Sequence, residues 1–424
     1  MRSVLASLRL RRILIAYTVN RLGEWFGLLA LVLAVYDHTH SALAVSGVLL
    51  AGQALPAFAV PALVARAEAS NRRRELSALY AIEAAATGGM AAIVAYGFSL
   101  PALLFLIAVD GAAALAASAL LRAETARAAR EDAIEAGAHQ DDEVHEAERR
   151  ANSALNIAFS LTFVFGPALG GAVVAAAGAP LALLIDVASF LVCGLLLVHL
   201  HPHVEEAAGD SVRARLGVAW RHINTVPMLR WLLLAEAVAM MFINTGAPIE
   251  VALVKQVLKG GDGGVGLLLT MWGVGAVVGS VVFARLIRRP LNEMLAAGTV
   301  LLGAAFLGLA ASPTLAVACV AGVVGGVGNA LQWPSMISLV QELTPGELQG
   351  RMMGAVESLS AVTLAVGLPL GGGLVALTDP RWAFVIVGAG TMLMTAALVP
   401  VSLVSLARGR RHSAAPVQAD RSAA

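Results

Sequence analysis

Five ionisable residues interrupt long apolar runs in this 424-residue chain: Arg21, Glu24, Glu83, Asp110 and Glu236. Such groups are costly at bilayer depth, so they face a bundle interior or a wet cavity and are functional candidates by default. Arg21 and Glu24 stand three residues apart and share a helix face, where they can pair; Asn20 joins Glu24 at four residues. Burial favours the neutral form of a carboxylate, which suits a group that must take up and release protons. Glu24 and Asp110 are therefore the proton-binding candidates, with Arg21 beside them. The competing reading is a satisfied structural ion pair of Arg21 with Glu24 or Asp110. Glu83 and Glu236 lie nearer the ends of their runs, where snorkelling or a cavity mouth is expected.

No other chemistry has the residues it needs. A phosphate-binding Gly-x-x-x-x-Gly-Lys-Ser/Thr stretch is absent, and Gly260 to Gly264 reads as a turn, since no Lys-Ser/Thr follows it. Cys193 and Cys319 sit in separate apolar runs and read as buried thiols. His139, Asp141, Asp142, Glu143 and His145 read as part of a charged linker, and His199, His201 and His203 as a polar helix exit, rather than as metal sites. No metal, cofactor or enzymatic activity is expected. Aromatic residues at 5% are too sparse for an extended base-stacking surface, and no nucleic-acid partner is expected.

The elements that must hold these residues are long apolar helices. Hydrophobic residues make up 58% of the chain and charged ones 13%, with a mean hydropathy of +0.80; soluble domains carry about 25% charged residues. Runs long enough to span a bilayer fall at roughly 13–35, 42–64, 76–97, 101–121, 153–177 and 180–200. Six more fall at roughly 229–250, 264–287, 292–312, 315–340, 352–377 and 382–406. On this alternation 25 of the 29 basic residues lie on one side, leaving Lys255, Lys259 and Arg381 on the other and Arg21 within a span. The positive-inside rule then sets both termini in the cytoplasm of a bacterial inner membrane and requires an even number of spans. The first run holds Asn20, Arg21 and Glu24 and is expected to stay as a helix rather than be cleaved as a signal peptide.

The predicted organisation is an amino-terminal six-helix bundle over 1–203, a linker over 204–228, a second bundle over 229–407 and a tail over 408–424. The charged stretch 122–152 reads as a solvated helix or flexible loop. Val212, Leu216, Trp220 and Ile223 recur at near-helical spacing and predict an amphipathic helix on the inner membrane surface. The halves echo each other. Gly166-Pro167-Ala168-Leu169-Gly170-Gly171 corresponds to Gly367-Leu368-Pro369-Leu370-Gly371-Gly372 at a constant glycine offset of 201 residues. Many secondary transporters are built from such parallel repeats, with a substrate site between them near the midplane.

Four stretches carry a resemblance to the major facilitator superfamily, in particular to its bacterial drug and siderophore exporters related to the enterobactin exporter and macrolide efflux proteins. They are Leu22-Gly23-Glu24-Trp25, the Gly166 to Gly171 stretch, Asp186-Val187-Ala188-Ser189-Phe190, and Thr344 to Arg351. The loop Pro61 to Arg66 departs from the family pattern, lacking its Gly and Asp. The resemblance implies an all-α membrane protein with twelve transmembrane helices in two six-helix pseudo-symmetric bundles. It makes Gly166, Pro167, Gly170 and Gly171 an antiporter motif that seals the fifth span against the other half. Arg66, Arg72, Arg73, Asp186, Arg285, Arg351 and Glu357 become gating candidates, with Glu357 a partner for Arg351. Spans 1, 4, 7 and 10 would line the cavity, with Asn20, Glu236, Asn329, Gln332 and Trp333 beside Glu24 and Asp110. The implied activity is proton-coupled efflux of a small amphipathic compound (a drug, antibiotic or siderophore) by a monomer in the lipid bilayer. The alternatives are a transport-inactive interaction or sensor protein and an uptake porter of the same fold.

Overall fold

A computed structural model describes residues 7–54, 56, 75–135, 141–198, 212–286 and 288–393. Among them there is no strand. The apolar runs become helices because, in lipid, a backbone with no water to bond must satisfy its polar groups within the segment.

The first half contains α1 (Leu8–Thr39), α2 (Ala42–Leu49, continuing as a π turn over Leu50–Ala54), α3 (Glu75–Tyr96) and α4 (Leu100–Glu135). A continuous run Asp141–Leu197 follows, broken at Gly178, whose φ of 81° and ψ of 164° suit only a residue without a side chain. That break divides it into α5 (141–177) and α6 (179–197). A linker helix, Val212–Thr225, leads to α7 (Pro227–Ala252, with a π turn over Leu253–Val257), α8 (Gly261–Arg285), α9 (Leu291–Ala311), α10 (Leu315–Glu342) and α11 (Gln349–Leu377). Helix α12 occupies 380–393.

Nine helical stretches among the described residues are long and apolar enough to cross a membrane. The break at Gly178 makes two of one of them, and α2 and α12 are shorter apolar helices at the edge of the described residues. Twelve spans follow. Polar caps mark several starts: the Ser7, Ser41 and Thr314 hydroxyls accept from the backbone N–H groups of Leu10, Ala44 and Val317. Helix α1 ends where His40 turns left-handed at φ 49°, its N–H donating to the Tyr36 carbonyl at 2.7 Å.

Helices α1, α3, α4, α5 and α6 pack together, as do α7 to α11. At the end bearing the start of α1, two separate apolar cores exist. One joins Leu10, Ile13, Tyr80, Leu121, Leu155 and Leu197 of the first half; the other joins Leu229, Leu233, Met336, Val340, Met352 and Val356 of the second. At the opposite end a single core runs across both halves, from Leu33 and Val35 through Val45 to Ile249, Leu253, Leu268 and Phe384. The halves are thus pressed together at one end and form separate cores at the other.

The linker helix docks on the second half: Ala219 and Ile223 are buried in its core, while Trp220 is exposed. A ring nitrogen of His222, Nε2, lies 3.2 Å from the Leu343 carbonyl. Of the two readings of the charged stretch 122–152, solvated helix or flexible loop, helix is found up to Glu135 and again from Asp141. Glu124, wholly buried, is held by Arg9 at 3.1 Å and Arg127 at 3.2 Å, and Glu131 pairs with both arginines. Arg130 bonds Glu148 at 2.8 Å, tying the two extensions together.

Candidate functional site

Helix α1 brings the expected polar stripe together. The Asn20 amide donates to the Glu24 carboxylate at 2.6 Å, and the Arg21 guanidinium pairs with its other oxygen. Arg21 also lies over the rings of Tyr17, at 5.7 Å, and Phe159 of α5, at 5.6 Å. Helix α4 presents Asp110, which accepts from the Thr87 hydroxyl of α3 at 3.2 Å.

Two further carboxylates converge on this place. Asp186 of α6 lies against Gly23 and Gly27 of α1, where an added Cβ would come within 2.6 Å and 2.1 Å of its oxygens. Only glycine at those two positions lets the acid approach α1 so closely. Glu83 of α3 is fully buried, with neither oxygen bonded, and Asp110, Glu24, Asp186 and Arg21 all act on it electrostatically. The expectation of a snorkelling Glu83 is corrected here: Tyr80 and Thr87 on its own helix are buried too, so this face of α3 turns inward. Four acids from α1, α3, α4 and α6 therefore share one interior with a single arginine. Three net negative charges at bilayer depth would be very costly, so protons resident among the acids are the simplest balance.

The second half is arranged differently. Glu236 of α7 and Gln332 of α10 bond each other at 2.5 Å, both buried, so neither sits at a cavity mouth. Asn329, about one turn before Gln332 on α10, and Trp333, the residue after it, do line a cavity of about 610 Å³ with Met240, Asn244, Glu357 and Ser360. A second cavity of about 240 Å³ lies between the halves, lined by Trp25, Gln53, Asn244, Glu250 and apolar residues of α1, α2, α7, α8 and α11. Asn244 and Leu364 line both, so the two adjoin. Helix α4 contributes to neither lining, and α11 does. Glu250, Asn244 and Gln53 were missed from sequence. Glu250 closes the seventh apolar run, and its position there was the one signal available.

The repeated glycines build the seams. Gly166 and Gly170 face α1, where an added Cβ would meet Trp25 at 2.3 Å and Leu29 at 3.1 Å. These two pack inside their own half, and the expected contact of the fifth span with the other half is made by other residues of the motif. Gly171 crosses, with Gly266 of α8 at 2.8 Å from its would-be Cβ, and the Pro167 carbonyl faces the same glycine. The second repeat does the same: Gly371 meets the Thr245 carbonyl of α7, whereas Gly372 crosses to Ser46, Leu43 and Ala42 of α2. Both crossings belong to the closed end. There Lys255 of α7 also pairs with Asp37 of α1, at 2.5 Å, and with Asp262 of α8.

Of the other candidates, Glu357 is exposed on the larger cavity, Arg285 is exposed at the end of α8, and Arg351 is half-buried at the start of α11. Pro167 lies inside α5, its carbonyl 2.5 Å from a Cβ placed on Gly266. Arg66, Arg72 and Arg73, the loop Pro61 to Arg66 and His199 to His203 lie outside the described residues, as does His139. Among the described residues no group of three His, Cys, Asp or Glu could hold a metal ion.

Two six-helix halves around an inter-half cavity, with acids buried at membrane depth, define a multi-pass membrane carrier for small molecules. The family model of the Major Facilitator Superfamily matches residues 13–260 and 232–422, and the chain belongs to that superfamily. A relative from Bacillus subtilis (strain 168), the uncharacterized MFS-type transporter YfiS, is 25% identical over 285 residues, covering 62% of this chain and 66% of the relative. Among solved structures, the nucleoside transporter NupG superposes with a TM-score of 0.69 at 13% identity, covering 93% of this chain and 99% of that one. A bacterial homologue of the iron transporter ferroportin, in an inward-facing state, gives 0.67 at 16% identity over 93% and 99%. At such identities these structures speak for the fold alone.

Proposed function

We propose that this transporter exports a small amphipathic compound in exchange for protons, by alternating access, from the cytoplasm of a bacterium. The observation that carries the reading is the meeting of Glu24, Glu83, Asp110 and Asp186 around one arginine inside the first half. Such a cluster can gain or lose a proton without any group leaving the bundle, and Trp25 links it to the cavity, being Glu24's neighbour in sequence and part of the cavity wall. Glu24 and Asp110 are the exchanging acids on this reading, and Arg21 tunes Glu24 by pairing with it.

The basic asymmetry of the loops supports termini in the cytoplasm. The separated ends of the halves then face inward, and the seam at Gly171, Gly372 and Lys255 is a closed outer gate. Glu124, Glu131 and Glu148 of 122–152 are drawn into intramolecular pairs with Arg9, Arg127 and Arg130, which favours a carrier over a partner-displaying sensor. The chain acts as a monomer, each copy holding a whole cavity.

Everted membrane vesicles carrying the protein should accumulate one or more labelled amphipaths only while a proton gradient stands. Glu24→Gln or Asp110→Asn should remove that dependence. Accumulation in right-side-out vesicles instead would make the protein an uptake porter. Normal gradient-driven export by both variants would overturn the proton assignment.

A further inference from the structure

One buried acid has no part in the cluster. Glu250 of α7 is 6% exposed, lies among the closed-end contacts and lines the smaller inter-half cavity of about 240 Å³. The nearby indole N–H of Trp272 is buried without a hydrogen-bond partner, and among the described residues Glu250 makes no ion pair. Among the described residues no basic one lines the cavity. The cation nearest along the helix, Lys255, is already held by Asp37 and Asp262. Apart from the amides of Gln53 and Asn244, the described wall is otherwise apolar, with Trp25 supplying an aromatic face.

A carboxylate enclosed by protein at membrane depth needs either a proton or a counter-charge, and among the described residues the protein supplies no cation to it. An aromatic ring beside an acid in an apolar chamber is also the arrangement that holds organic ammonium groups. Drug-sized ligand sites run to roughly 300–1,000 Å³, so the chamber suits a single-ring or branched head. The adjoining 610 Å³ cavity can take a longer tail.

We propose that Glu250 reads the charge of the substrate, and that the transported class is a compact organic cation with an apolar body. The inference rests on the export reading only in taking the inter-half cavity as the place a substrate occupies. It gives Glu250 a role separate from proton exchange at Glu24 and Asp110.

The test is equilibrium binding to the purified full chain in detergent, with two probes of the same shape: phenyltrimethylammonium and uncharged tert-butylbenzene. The wild type should bind the cation saturably and in preference to the hydrocarbon, a comparison that needs no variant. Glu250→Gln should weaken the cation by about thirtyfold or more, as loss of one partner of a buried charge pair does. It should leave tert-butylbenzene binding unchanged, which also reports a folded chamber, and Glu250→Asp should retain part of the preference. Absence of saturable cation binding to the wild type, equal binding of the two probes, or undiminished cation binding by Glu250→Gln would each overturn the proposal. The probe is permanently charged and the assay has neither gradient nor direction. Charge-blind binding beside proton-driven export therefore sinks this inference alone, and cation selectivity without proton coupling sinks only the export reading.

Discussion

The crossing glycines make a quantitative demand on the conformational equilibrium. A Cβ on Gly266 would lie 2.5 Å from the Pro167 carbonyl oxygen and 2.9 Å from the Gly171 Cα, both backbone atoms that cannot swing aside. Ordinary carbon contacts sit near 3.5–4.0 Å, so Gly266→Val must push α8 from α5 by roughly 1 Å at the closed end. Forcing methyl groups into a packed seam costs about 1–3 kcal/mol. That cost falls only on the state in which this seam is shut, so the opposite state should gain about 5- to 150-fold in relative population.

Spin labels at Ala177→Cys and Leu377→Cys, both exposed beside the closed end, would report the change by double electron–electron resonance. Gly266→Val should add or enlarge a long-distance population. Gly372→Val should do the same through the other seam, where Ser46 and Leu43 stand 2.5 Å and 2.6 Å from the added Cβ. Its neighbour Gly373 has nothing within 4 Å, and Gly373→Val should leave the distribution unchanged. Superimposable distributions for Gly266→Val and the wild type would refute the seam as the element that separates the two states.

Lys255→Met should shift the same distribution in the same direction but less, by about 0.5–1 kcal/mol, because Asp37 is half exposed, and the difference should shrink in high salt. Arg9→Ala and Arg127→Ala should each cost about 1–2 kcal/mol in thermal unfolding. The double variant should cost more than their sum, since only then is buried Glu124 left without a cation. Gly178→Ala should lower thermal stability by about 1–3 kcal/mol with no clash to blame, because the nearest atom, in Pro180, is 3.6 Å away and the penalty is backbone strain.

The helices were legible because run length and charge are local properties. The break between α5 and α6 was readable from Gly178 and Pro180, and the repeat from the glycine offset alone. What each glycine faces was not readable, since Gly170 and Gly171 are adjacent yet one meets α1 and the other α8. For stretch 122–152 the spacing could not choose between a solvated helix and a flexible loop, because only its short-range pairs, such as Arg150 with Glu146, can be read from it. The bonds that fix it, Arg9 to Glu124 and Arg130 to Glu148, join distant segments. Glu83 misled for a related reason: its position along α3 indicates depth, and burial depends on which way the helix is turned.

The backbone repeats and the charges do not, and on the proposed reading that asymmetry is what couples the two ligands. Both seams use the same adjacent glycines, so rocking one half against the other closes or opens them together. A symmetric motion alone has no reason to respond to protons. The response needs a group whose surroundings differ between states, and Arg21 is so placed: it pairs with Glu24 while lying over Phe159 of α5, the helix that also carries Gly171. Trp25, beside Glu24, packs under Gly166 of α5 and against Phe163 at 5.6 Å, and its other surroundings are the cavity. Movement of α5 at the seam must therefore disturb the Arg21–Glu24 pair and the cavity wall at once. A second acid cluster in the other half would pull on the same motion from its own side; among the described residues that half instead holds Glu236 bonded to the neutral amide of Gln332, and Glu250 apart from it on the cavity wall.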